Sequence, residues 1–195
     1  MRNSLSKSVK VGSLVLAAIA MSACGGKEEA VSTGVTPQQL TDNMFAVMKA
    51  DRTTYTKLII QRLAKKEKVI KASEHWEDEK ALVLPAQMFR HASEIIAEQD
   101  LGFTYSLQSI WPINKQNAPK TDMEKQGLEY LNENPGQNFY GEETLGGTTY
   151  FTAVYPDVAV ADACVSCHND HKDTPKTDFK IGDTMGGVVI RVAMN

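Results

Sequence analysis

The sequence predicts an α+β fold in which long N-terminal helices precede an antiparallel sheet. Three observations carry that class. Apolar residues recur at helical spacing through the first half of the chain, strand-like runs and turn signals gather in the second half, and strands and helices nowhere alternate regularly as a parallel sheet would require.

The first helix is announced at Thr36, where proline follows at the first helical position and Gln39 stands three residues on, the pattern of a capping box. Leu40, Met44, Val47, Met48, Tyr55, Leu58, Ile59 and Leu63 then form an apolar stripe, and a polar break from Ala50 to Thr54 predicts a bend near Asp51. A second helix is expected from Pro85 to about Glu98, with Met88, Phe89, Ala92, Ile95 and Ile96 inward and Asp100 with Gly102 as its stop. Phe103, Tyr105 and Leu107 alternate as in a strand, and the "WPINKQNAPK" that follows is a turn-rich loop. Thr121 with Glu124 opens a short helix that Pro135 and Gly136 end. Two β-rich runs meet at Gly146-Gly147, a hairpin signature, and "GGVVIRVAM" closes the chain as an apolar strand.

The N-terminus has the layout of an export signal. Arg2, Lys7 and Lys10 make a basic region, and an apolar run from Val11 to Ala23 follows. Its 13 residues fall short of the roughly 20 that span a bilayer, so residues 1–23 are expected to be cleaved rather than to anchor the chain. Met21, Ser22, Ala23 and Cys24 resemble a bacterial lipobox, which implies a diacylated Cys24 as the mature N-terminus; Gly25 after it implies the outer membrane. The alternative is an ordinary signal peptide cut near Ala23, leaving Cys24 as a free thiol. Residues 24–35 read as a flexible tether and 36–195 as a single domain. Loss of the leader leaves 18 Lys+Arg against 24 Asp+Glu, a formal charge of −6, which argues against nucleic acid as a partner.

In such an exported chain the stretch "CVSCHNDH", Cys164 to His171, carries the chemistry. Cys-x-x-Cys-His is the attachment signature of c-type haem. Cys164, Cys167 and His168 stand at i, i+3 and i+4, so one helical turn offers two thiols to the haem vinyl groups and an imidazole to the iron. Two other uses of the thiols compete. A structural zinc site needs four ligands, and only histidines and carboxylates remain to complete it. A Cys164–Cys167 redox disulfide suits an oxidising compartment, yet the pair lies late in the chain rather than after an early strand.

The second axial position is filled from elsewhere or stays open. The candidates are His75, His91, His171, Met44, Met48, Met88, Met123, Met185 and Met194. His75, beside Trp76 in a polar connection that neither periodicity nor packing explains, comes first. His171 is three residues from His168 and falls on the same side of the porphyrin, which suits a surface or propionate-contacting residue better. His91 reads as a solvated helix residue, and Met44 and Met48 as core. Arg90, Lys115 and Arg191 are candidate partners for the haem propionates.

From about Phe103 onward, "SLQSIWPINKQNAP", "FYGEETLGGTTYFTAVYPDVAVADACVSCHNDH" and "FKIGDTMGGVVIRVAMN" together resemble the Tll-type haem domains. These are a bacterial family of single-haem c-type domains, catalogued as a domain of unknown function and described with a sensor-like, PAS-type α+β fold. The shared features are the loop residues Pro112, Asn114, Asn117, Ala118 and Pro119, the Cys-x-x-Cys-His after Tyr155-Pro156, and the Gly182-Asp183-x-x-Gly186-Gly187 approach to the last strand. The resemblance implies a PAS-like antiparallel sheet carrying one covalent haem c near the C-terminus, bound to Cys164 and Cys167 with His168 on the iron. Relatives bear a cysteine in the helical part as a distal ligand, and this chain has none there.

The expected function is that of a periplasmic, membrane-anchored monohaem c-type protein serving electron transfer or redox or gas (NO) sensing. A haem with two protein ligands suits electron exchange, and a sensor without its own output domain needs a separate signalling partner. The alternatives are a haem enzyme with an open distal site, performing peroxidase or nitrogen-oxide chemistry with His75 or Arg90 as acid or base, and a haem-free binding domain held by zinc or a disulfide. Expected partners are a redox or signalling protein, the membrane through the lipid, and a second copy of the chain.

Overall fold

The computed structural model describes residues 34–194. The leader, Cys24 and nearly all of the tether lie outside the described residues. At Thr36 the capping box closes in both directions: the Thr36 hydroxyl accepts from the Gln39 amide at 3.1 Å, and the Gln39 side chain accepts from the Thr36 amide at 3.0 Å. Helix α1, Pro37–Thr54, starts there. The bend predicted near Asp51 is replaced by a change of helix type, for the chain continues as a π-helix over Tyr55–Lys66. Each π turn closes one residue later than an α turn. The inward face therefore shifts to Thr56 and Ile60, and Leu58 of the predicted stripe is left 58% exposed. On α1 itself Leu40 and Val47 are likewise exposed, while Met44, Phe45 and Met48 pack on the sheet.

Helix α2, Pro85–Ala97, has the predicted bounds but a narrower inward face. It rests on the sheet through Phe89, which meets the Tyr105 ring edge-on at 4.9 Å. Apart from Phe89 the helix lies chiefly against an edge strand, too narrow to cover the whole stripe, so Ala92 and Ile95 face solvent. Positive φ at Asp100 (48°) and Gly102 (74°) then turns the chain out of the helix.

Four antiparallel strands follow: β1 Phe103–Gln108, β2 Phe139–Leu145, β3 Thr148–Val158 and β4 Thr184–Ala193, in the order β1-β4-β3-β2. Gly146 and Gly147, at φ 59° and 87°, make the tight turn between β2 and β3. The last strand is buried on both faces, which is why it reads as a continuous apolar run. Val188 and Ile190 pack with Phe89, Ala153 and Tyr155 under α1 and α2; Val189 packs with Val154, Leu128 and Leu131 under helix α3, Asp122–Glu133. Gly127 permits that approach, since a Cβ there would lie 2.5 Å from Val154 Cγ2. On the α1 side, Phe45 stacks on Tyr155 with centroids 4.3 Å apart, and Asp42 accepts from the Tyr155 and Tyr140 hydroxyls at 2.7 and 2.8 Å.

Val35–Asn195 cluster as one unit. Helix α4, Asp162–Asp170, crosses from the end of β3 to the segment before β4 and carries the Cys-x-x-Cys-His turn. Among the described residues no helix is long and apolar enough to cross a membrane.

Candidate functional site

Helix α4 is held at both ends by side chains far away in sequence. At its start, the Ala163 amide donates to Gln61 Oε1 of the π-helix at 3.0 Å, satisfying one of the first-turn donors that a helix leaves open. At its end, Asn169 clasps Phe179: its Nδ2 donates to the Phe179 carbonyl at 2.9 Å, and its Oδ1 accepts from the Phe179 amide at 3.0 Å. Phe179 in turn supports the His168 ring edge-on at 6.1 Å and packs with Ala159 and Met185. Cys164 and Val165 close over that cluster. The start of β4 runs tight against β1, because a Cβ on Gly186 would lie 2.3 Å from the Gln108 carbonyl oxygen.

Two adjoining clefts open along the exposed side of α4. One holds both thiols together with Thr56, Ile60 and Lys65 of the π-helix and encloses about 720 Å³, counting space open to solvent. The other, about 930 Å³, runs from Cys167 and His168 past His171 to Gln87, Arg90 and Asn114. They share a waist formed by Arg52, Leu84, Ala86, Asp157, His168 and Met185, with Cys167 beside it. The family-like motifs converge here: Pro112, Asn114 and Asn117 line one wall, and Gly186 stands near the floor.

Burial pushes the His168 pKa down, with Asp157 opposing and Arg52 and His171 adding to the shift, so the imidazole is neutral at neutral pH and able to ligate a metal. Burial pushes the Cys167 thiol up. Both Cys164 and Cys167 are free. A raised Cys167 thiol is the reverse of what a redox-active pair needs, which argues against a redox use of the two cysteines. Among the described residues no group of three or more His, Cys, Asp or Glu side chains is placed to hold a metal ion, so the further donors of a zinc site are not assembled. Two thiols and a neutral imidazole on one wall of a largely apolar cleft, with polar side chains at its far end, fit a covalently held haem.

Among the proposed propionate partners, Arg90 lines the larger cleft. Its Nε is buried and lies 3.4 Å from Glu94 Oε1 without a hydrogen bond. Arg191 departs from expectation. It is 13% exposed and donates at 2.6 Å to both Glu124 and Glu143 beneath α3, outside the clefts at α4. Because β4 alternates its faces, Arg191 shares the face of Val189, and the two carboxylates meet it there. Lys115 is exposed and lines neither cleft.

The distal candidates scatter. His75 lies outside the lining of both clefts, with its side chain 68% exposed beside Glu74. The cause is local: a bridge between Ala72 and Leu82 closes the intervening residues into an excursion, and His75 rides on its outer turn. His91 pairs with Glu94 at 3.4 Å and meets Trp76 edge-on at 6.2 Å. Met44 and Met48 are core, as expected. Met88, Met123 and Met194 line neither cleft. Met185 and His171 do line the larger one.

The sequence reading missed Arg52 and Asp157. They form an ion pair at the waist, with side chains 18% and 14% exposed, and Arg52 Nε is buried without a hydrogen-bond partner. The available signals were an arginine on the inward side of the polar break at 50–54 and an acid directly after Tyr155-Pro156.

The Tll0287-like family model matches residues 30–193. Among solved structures, the crystal structure of the cyanobacterial haem protein Tll0287 resembles this fold with a TM-score of 0.52 and 16% identity, covering 82% of this chain and 98% of that one. At that identity the likeness concerns the fold. No curated protein matches the chain.

Proposed function

The chain belongs to the Tll0287-like family, and from that premise we propose that it is a single-haem c-type protein working outside the cytoplasm. Cys164 and Cys167 form thioethers to one haem, and the neutral His168 ligates its iron. The haem supplies a one-electron couple. The chain's own residues would hold it: α4 is pinned by Gln61 and Asn169, Phe179 supports the His168 ring, and Arg90, lining the larger cleft, would meet the propionates.

The observation that carries this reading is the convergence of both thiols and His168 on clefts whose remaining walls are mostly apolar. Apolar walls exclude water, which raises the influence of the iron's immediate neighbours on its potential. The protein then exchanges electrons with a partner or reports redox state or a small ligand to one. Export, acylation at Cys24 and the outer membrane remain part of the proposal, supported by the leader and lipobox pattern. So do the PAS-like sensor character and pairing with a second copy.

The test is expression of the exported chain with a cytochrome c maturation system and measurement of intact mass. One haem added to the polypeptide, resistant to acidified acetone, is the expected result, with loss of that added mass in the Cys164→Ala/Cys167→Ala variant. A mass equal to the bare polypeptide refutes the proposal.

A further inference from the structure

The two clefts at α4 contain a rough map of the haem they would hold. In a c-type haem the thioether bonds mark one edge of the porphyrin and the propionates the opposite edge, with iron midway. The cleft bearing both thiols is therefore the thioether end, the region of Arg90, Gln87 and Asn114 the propionate end, and the shared waist the level of the iron.

The waist has two sides. His168 and Met185 belong to the same wall, since both pack against Phe179, and Met185 also lies under Cys164 and Val165. Met185 thus stands behind the His168 face and is not opposite it. Arg52 of α1 with Leu84 and Ala86 before and within α2 completes the waist. None of these three ligates iron. Asp157, the remaining donor at the waist, has its carboxylate engaged by Arg52. His171 lies on the far end of α4, where its Nδ1 accepts from the Asp173 amide at 3.1 Å and its Nε2 faces Glu74 at 3.8 Å.

We propose that the iron's sixth position is left open by the protein and lies beneath the Arg52 guanidinium, which binds a small ligand whose outer atom carries negative charge. This rests on the haem reading above and deepens it. Arg52 suits the task for two reasons: Asp157 fixes its orientation, and it borders both clefts. A desolvated, oriented guanidinium is a strong donor to an anion. The site thereby favours ligands such as azide over neutral ones of the same size.

The experiment uses the matured holoprotein, with azide as probe for the ferric state and carbon monoxide for the ferrous state. The wild type is expected to show an open iron, to bind both probes, and to hold azide roughly 10-fold or more tightly than Arg52→Leu. The bound C–O stretch should rise in that variant, because a positive group near the oxygen lowers it. Arg52→Leu leaves Asp157 unpaired, so Arg52→Leu/Asp157→Asn is measured beside it to separate binding from folding, and the same loss of azide affinity is expected. A haem-bearing chain with a six-coordinate low-spin spectrum indifferent to both probes overturns this inference alone. So does equal azide affinity with an unshifted C–O stretch in both variants. A chain that acquires no haem overturns the inference and the haem reading together.

Discussion

Replacing Arg191 with methionine separates a structural role from a haem-binding one. Arg191 is 13% exposed and bridges Glu124, 2% exposed, and Glu143, 8% exposed, at 2.6 Å each. Desolvation works against its charge, but hydrogen bonds to the two carboxylates outweigh it and hold the guanidinium pKa above its ordinary value. Removing one partner from a buried ion pair leaves an uncompensated charge and costs about 3–5 kcal/mol. For a domain of this size each kcal/mol moves the thermal midpoint by roughly 2–4 °C, so Arg191→Met should lower it by about 6–20 °C. Methionine keeps most of the side-chain length, so the loss is chiefly electrostatic. Circular dichroism melts of the wild type, Arg191→Met and Arg191→Met/Glu124→Gln/Glu143→Gln are the assay, with the haem absorption spectrum recorded alongside. The triple variant should recover much of the loss, since the buried charges are gone, and the spectrum of the folded single variant should match the wild type. An unchanged midpoint together with an altered spectrum would show that Arg191 serves the haem, and would refute the assignment made here.

Two more outcomes follow from the same geometry. Asn169→Ala removes both hydrogen bonds to Phe179 and should lower stability by about 1–3 kcal/mol, because the Phe179 amide and carbonyl lose their partner; a urea midpoint equal to the wild type's would count against the clasp. Burial opposes ionisation of Glu124, yet hydrogen bonds from Gln108, the Lys120 amide and Arg191 outweigh it and hold the carboxyl below its ordinary value. A carboxyl whose folded pKa is depressed stabilises the fold above its unfolded pKa, and that stability drains away as pH falls through the folded pKa. Stability should thus fall below about pH 4.5 with a slope that Glu124→Gln flattens, and an identical acid limb in the variant would disprove Glu124's share.

Local signals accounted for the elements and for the chemistry at α4. Capping at Thr36 and Thr121, the Gly146-Gly147 turn and the proline that opens α2 each act within a few residues of where they are written, so neighbouring sequence suffices to read them. Cys164, Cys167 and His168 share one helical turn for the same reason. The inward faces were less legible. Periodicity assumes uniform α geometry, and the π-helix over Tyr55–Lys66 shifts the phase that placed Leu58 inside.

By itself the sequence determined the α+β class, the element order and the Cys-x-x-Cys-His turn, because these follow from spacing along the chain. Only the tertiary structure decided what surrounds that turn. Arg52 meets Asp157 across 105 residues and Arg191 meets Glu124 across 67. His75, adjacent to a conspicuous tryptophan, is carried outward by the bridge between Ala72 and Leu82. Charge pairs and chain excursions of this kind depend on which distant segments the packed sheet and helices bring together, and they leave no periodic trace in the order of residues.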